Sequence, residues 1–176
     1  MFSEFFDTPR LILRPVARDD AVAIFEGYAQ DPEVSRYTVW MPHRSLADAE
    51  AFVGGCLAAP PDAARTYAIC EREKGALLGV LALRRGSPHH IELGYVLARR
   101  WWRQGLMTEA ARAVVDWALR QPSVFRVSAC CDVDNIGSAR VMEKAGLVRE
   151  GLLRRWLVHP NVSPEPRDCF LYAKVR

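Results

Sequence analysis

The apolar pattern changes period across residues 91–120, and that change limits what the chain can become. Ile91-Glu92-Leu93-Gly94-Tyr95-Val96-Leu97 is a β-branched and aromatic run of strand length. Ala110, Val114, Trp117 and Ala118 then recur at helical spacing over residues 108–120, until Gln121-Pro122 ends the helix. Between them lies Arg100-Trp101-Trp102-Arg103-Gln104-Gly105-Leu106-Met107-Thr108, a basic loop running into a helix start. First-turn N–H groups lack intrahelical partners, and the helix dipole adds partial positive charge there. Gly105 lets the backbone approach a ligand, so the segment reads as an anion site. No Lys-Ser or Lys-Thr pair follows Gly105, and GxGxxG is absent, which disfavours nucleoside triphosphates and NAD. On spacing alone, Gly105 as a plain turn residue and the Trp pair as core stays open.

Upstream, Arg10-Leu11-Ile12-Leu13-Arg14-Pro15 alternates in polarity and ends at proline, as a short half-buried strand does. Asp19 and Asp20 offer an N-cap for a helix over residues 21–29, with Val22, Phe25 and Ala29 read as one face. Ser45-Leu46-Ala47-Asp48 starts a second helix whose stripe is Leu46, Ala49, Phe52, Val53 and Cys56. Residues 66–71, 76–83 and 90–97 form an antiparallel meander. Residues 126–131 read as a strand, 135–145 as a helix closed by Gly146, and the remainder as β up to a final strand over 168–175. No repeat or long linker interrupts the chain, so residues 1–176 are expected to form one α+β domain.

Lys plus Arg total 24 against 21 Asp plus Glu, and the net charge of +3 is spread along the chain, so nucleic acid is not an expected partner. Cys56, Cys70, Cys130, Cys131 and Cys169 form no CxxC pair or zinc-ligand spacing, and reduced thiols are expected, with no metal. No apolar run reaches membrane-spanning length, and Met-Phe-Ser-Glu-Phe-Phe lacks a basic signal head. A soluble cytoplasmic protein without membrane association is the expectation.

Several separated segments then point the same way: residues 10–15; Glu92-Leu93-Gly94-Tyr95 with its loop and Thr108-Glu109-Ala110; Asn135-Ile136-Gly137-Ser138; Glu143-Lys144-Ala145-Gly146-Leu147; and Glu150-Gly151. In these the chain resembles the GCN5-related N-acetyltransferase (GNAT) superfamily, and within it the bacterial Rim-type enzymes acting on ribosomal-protein N-termini. The resemblance implies a twisted, mostly antiparallel sheet of about six to seven strands with helices on both faces. It also implies acetyl-CoA as co-substrate, an amine acceptor, no metal, and a monomer or homodimer. The pantetheine arm would pair with Val96 and Leu97, and the amides of Arg103, Gln104, Gly105, Leu106, Met107 and Thr108 would hold the pyrophosphate. Arg103 replaces a glycine of the family signature. An L-residue is expected to avoid positive φ, so the loop should keep its path only with Arg103 helical or extended.

Acyl transfer to an amine needs a neutral nucleophile, stabilisation of an oxyanion, and a proton for the departing thiolate. Asn135 and Ser138 share one side of a helical turn, where spacing alone is also satisfied by an N-cap and a small packing residue. The resemblance assigns Asn135 to the pantetheine and Ser138 to the thiolate. The tyrosine acid of other superfamily members would fall at Met142, which cannot donate. Glu92 is the candidate base, with His43 as rival. Trp40 and His43 lie in a loop that walls the acceptor site in this branch, and where one subgroup has a proposed glutamate base this chain has Leu157. The expected acceptor is a primary amine, either a protein N-terminus or a small molecule, attacking directly in a ternary complex. A catalytically silent acyl-CoA sensor is the alternative.

Overall fold

The structure, a computed structural model, describes residues 2–176. Its strands are β1 (Phe6–Asp7), β2 (Leu11–Pro15), β3 (Ala64–Glu71), β4 (Leu77–Ser87), β5 (His90–Leu97), β6 (Arg126–Asp132), β7 (Val148–Val158) and β8 (Pro166–Val175). Its α-helices are α1 (Asp20–Ile24), α2 (Pro32–Ser35), α3 (Leu46–Ala58), α4 (Leu106–Arg120) and α5 (Ile136–Lys144). The strands form one sheet in the order β1-β2-β3-β4-β5-β6-β8-β7, antiparallel throughout except for β5 with β6. This is an α+β fold with eight strands rather than six to seven. The two-residue β1 is too short to leave a periodic signal.

Strand alternation divides the interior in two. On β3, Tyr67 and Ile69 face α4 and α5 together with Leu11, Leu13, Ile91 and Val127. Ala68 and Cys70 face the opposite side, packing with Val53 of α3 and Ile24 of α1. Helices thus cover both faces. The first helix corrects its expected phase: Val22 is 46% exposed, while Ala21, Ile24, Tyr28 and Ala29 are buried. The buried stripe runs one residue earlier than expected, with Ala21, Ile24 and Tyr28 keeping the i, i+3, i+7 spacing and a π turn over Phe25–Ala29 carrying Ala29 in beside Tyr28. Leu46, at the exposed start of α3, also drops out of its stripe, which is buried at Ala49 and Val53.

One irregularity of the sheet positions everything that follows. β5 pairs with β4 from His90 to Leu97, but with β6 only at His90, Ile91 and Glu92. β6 continues alongside β8 as far as Asp132, so the two parallel strands part beyond Glu92 and leave a cleft. Gly79 on β4 permits the lean of β5. A Cβ there would stand 2.2 Å from the Val96 carbonyl oxygen and 2.8 Å from Leu97 Cα, closer than any side chain tolerates. Among the described residues, no helix is long and apolar enough to cross a membrane.

Candidate active site

The cleft ends on the loop before α4. Trp102 Nε1 donates to the Leu97 carbonyl at 2.7 Å, and Gln104 Nε2 to the Arg100 carbonyl at 3.0 Å. From the other side, Arg10 Nη1 donates to the Gln104 carbonyl at 3.0 Å, while its Nε bonds Glu109 at 2.7 Å. Thr8 Oγ1 donates to the same carboxylate at 2.7 Å. With both flanks tied, the chain between them turns sharply. Arg103 takes φ 61° and Gly105 φ 76°. The expectation that Arg103 would be helical or extended is therefore wrong: this arginine occupies the left-handed conformation of the glycine it replaces. The cost is about 1 kcal/mol, borne by the surrounding tethers. Among the described residues, no backbone or side-chain acceptor takes the amides of Arg103, Gln104, Gly105, Leu106, Met107 or Thr108.

Behind the loop lies a cavity of about 390 Å³ between β5, β6, β7 and the α1–α3 side. Trp40, His43, Glu92, Val96, Asn135 and Ser138 all line it, whereas Leu97 and residues 103–108 lie outside it at the cleft mouth. The strand-end expectation shifts by one residue. Ala98 N donates to Leu78 on β4 at 2.8 Å, and because successive backbone groups alternate in direction, Val96 faces β4 as well. Tyr95 and Leu97 are the residues whose main chain faces the cleft, and Leu97 already accepts from Trp102.

Asn135 caps α5 by accepting from Ser138 N at 3.1 Å, which leaves its amide nitrogen unused. Ser138 Oγ lies 2.9 Å from the Tyr95 hydroxyl, which also donates to the Ser138 carbonyl at 3.1 Å. Burial raises the Tyr95 hydroxyl well above its ordinary range, so it stays protonated. Tyr95 is a polar member of the site that the sequence reading missed. Its phase with Leu93 and Leu97 along β5 was the available signal. Met142, by contrast, is core.

The far wall comes from β7. A bulge between Leu153 and Leu157, with Arg155 at φ 46°, places Leu153, Trp156 and Leu157 together on the cavity. The Arg155 amide holds the bulge by donating to Asp168 at 2.8 Å. At the end of β6, buried Asp132 accepts from Arg167 Nε at 2.6 Å and Nη2 at 3.1 Å, and from the Asp134 amide at 2.9 Å. His159 Nε2 stands 3.8 Å from the same carboxylate. Cys169 lies beside His159, but burial pushes its thiol up to about 12, too high for a nucleophile. The five cysteines are free thiols.

His43 packs against Trp40, ring centroids 5.3 Å apart, with its Nδ1 buried and unpartnered. Burial lowers its pKa below the ordinary 6.5, with Asp48 pulling weakly the other way. Burial likewise lowers His90, whose Nε2 is 2.7 Å from Ser128 Oγ. Both rings therefore take up protons more readily unfolded than folded. Stability should be fully present above about pH 6.5 and decline as the pH falls from there towards the folded values. Urea midpoints at pH 7.5 and 5.5 should differ in that sense, and H43N/H90N should flatten the difference. An unchanged slope in the double variant would contradict this assignment.

A sheet opened between two parallel strands, ending on a helix whose first amides have no acceptor among the described residues, is an arrangement in keeping with an acyl-transferring enzyme. Residues 10–148 match the acetyltransferase (GNAT) domain model, and the chain belongs to that family. It is 30% identical over 169 residues to the uncharacterized N-acetyltransferase YnaD of Bacillus subtilis (strain 168), covering 94% of each chain. It is 25% identical over 177 residues to the ribosomal protein uS5-alanine N-acetyltransferase of Escherichia coli (strain K12), covering 94% of this chain and 88% of that one. In structure it is similar to the ribosomal α-N-protein acetyltransferase RimL in complex with coenzyme A, with a TM-score of 0.83, 22% identity and 98% of both chains covered, a likeness of fold. The Rim-type resemblance is in keeping with these relatives.

Proposed function

We propose that the protein transfers an acetyl group from acetyl-CoA to a primary amine by direct attack within a ternary complex. The observation that carries this reading is the divergence of β5 from β6 beyond Glu92, ending on the unpaired amides of residues 103–108. An extended pantetheine arm matches the first feature, and a pyrophosphate the second. Cytoplasmic location and an amine acceptor, protein or small molecule, belong to the same proposal.

The residues divide the work by position. Cleft-facing backbone of Tyr95 and Leu97 and the free amide of Asn135 orient the pantetheine, and Ser138 with Tyr95 faces the sulfur. The acceptor nitrogen bonds to the acetyl carbon, the carbon–sulfur bond breaks, and the proton shed by the attacking nitrogen reaches the thiolate through Ser138, whose hydroxyl stays hydrogen-bonded to the protonated Tyr95. Glu92 is the single carboxylate on the cavity wall, and it accepts the ammonium proton through water. His43, held neutral by burial, lines the acceptor side without repelling an incoming cation.

Free-thiol release with acetyl-CoA and a panel of peptides and small amines tests the reading. Release above the no-enzyme rate is expected, with E92Q lowering kcat by roughly 100-fold at neutral pH. Tight coenzyme A binding without release for any acceptor would support the sensor instead.

A further inference from the structure

Arg84 on β4 stands directly opposite Glu92 on β5, and both line the cavity. Opposite charges in this cross-strand relation ordinarily pair. Here they turn apart. The guanidinium lies over Gly94, towards the open end of the cleft, with Nη1 3.6 Å from the point where a Cβ would begin. The carboxylate turns towards the β4–β5 hairpin, with Oε1 3.1 Å from the corresponding point at Gly86. Among the described residues, neither Arg84 nor Glu92 enters an ion pair.

The cavity wall therefore carries an unpaired, forked cation. The rings of Tyr37, Trp40, Phe52 and Trp156 line the same cavity. A guanidinium in this setting repels a bare polycation and matches the planar fork of a carboxylate. We infer that Arg84 is the anion-recognising residue of the acceptor site, and that the acceptor is a primary amine that also carries a carboxylate. The inference rests on the acetyl-transfer reading above and narrows its substrate class. Two sources share this chemistry: the α-carboxylate of a free amino acid, and an acidic side chain beside a peptide N-terminus.

Thiol release by the intact chain with acetyl-CoA separates them. One pair of acceptors is phenylalanine and phenylalaninamide; the other is a Ser-Glu-led tetrapeptide and its Ser-Gln counterpart. Wild-type kcat/KM, set against that of R84Q, should favour the carboxylate member of one pair by about 10- to 100-fold. Comparing wild type with variant cancels the difference between the amines' own pKa values. R84K should keep part of the preference, because it retains charge without the fork. Protection of R84Q by coenzyme A against thermal unfolding reports that the fold and cofactor site persist. A preference in the first pair identifies a free amino acid, and in the second a peptide. An acid-to-amide ratio in both pairs that R84Q leaves as in wild type overturns the inference while acetyl transfer stands. No release from any acceptor removes the acetyl-transfer reading, and this inference with it.

Discussion

Replacing Gly105 with aspartate is expected to abolish coenzyme A binding, with an affinity loss of more than about 100-fold by isothermal titration. Three effects add. Gly105 sits at φ 76°, where an L-residue costs about 1–2 kcal/mol. The new carboxylate would stand within the row of unpaired amides that a pyrophosphate needs, repelling it at short range. It would also begin 3.6 Å from Arg10 Nη2, drawing that guanidinium from its bonds to Gln104 and Glu109. R103G is the matched control. The arginine already follows a glycine path, so relief of strain and added chain entropy nearly cancel, and affinity should change by less than about threefold. If R103G proved the more damaging of the two, the pyrophosphate would have to lie elsewhere.

Asp132→Ala should cost about 3–5 kcal/mol in a urea titration, the range for removing one partner of a buried ion pair. Its fully buried side chain satisfies Arg167 twice and the Asp134 amide once, at the corner from which Asn135 and Ser138 project. Burial opposes its ionisation, yet the Arg167 and Asp134 hydrogen bonds and the Arg167 charge hold its pKa below the ordinary 3.8. Its contribution is thus present above about pH 4 and lost as the pH falls through the folded value. Acetyl transfer should fall further than the folded fraction does, because the corner sets the distance of Ser138 from the cleft. A change below about 1 kcal/mol would mean that Arg167 and His159 find water in its place.

The site was partly legible because some of its signals are local. The glycine loop, the strand before it and the helix after it are contiguous, so Gly105 could be read as a helix start without knowledge of the fold. Asn135 and Ser138 share one helical turn, and their N-cap bond follows from spacing. Other parts had no local signature. Arg84 falls just past the strand read over 76–83, and only the longer β4 of the structure sets it opposite Glu92 with the pair unmade. Trp156 depends on a bulge fixed by Asp168, thirteen residues from Arg155. Val22 was misplaced because Ala21, Ile24 and Tyr28 offer the same i, i+3, i+7 spacing one residue earlier, and spacing alone does not choose between the two faces.

What the sequence determined by itself was the α+β class, the order of the longer strands and helices, and the turn at Gly105 that opens α4. Period, proline and glycine act over a few residues, and their physics is contained in the segment that carries them. The tertiary structure decided the splay of β5 from β6, the left-handed Arg103, the Ser138–Tyr95 contact and the unpaired Arg84. Each of these depends on atoms brought together from distant parts of the chain. Arg103 shows the difference most directly: its own backbone preference argues against φ 61°, and the tethers on Leu97, Arg100 and Gln104 override it.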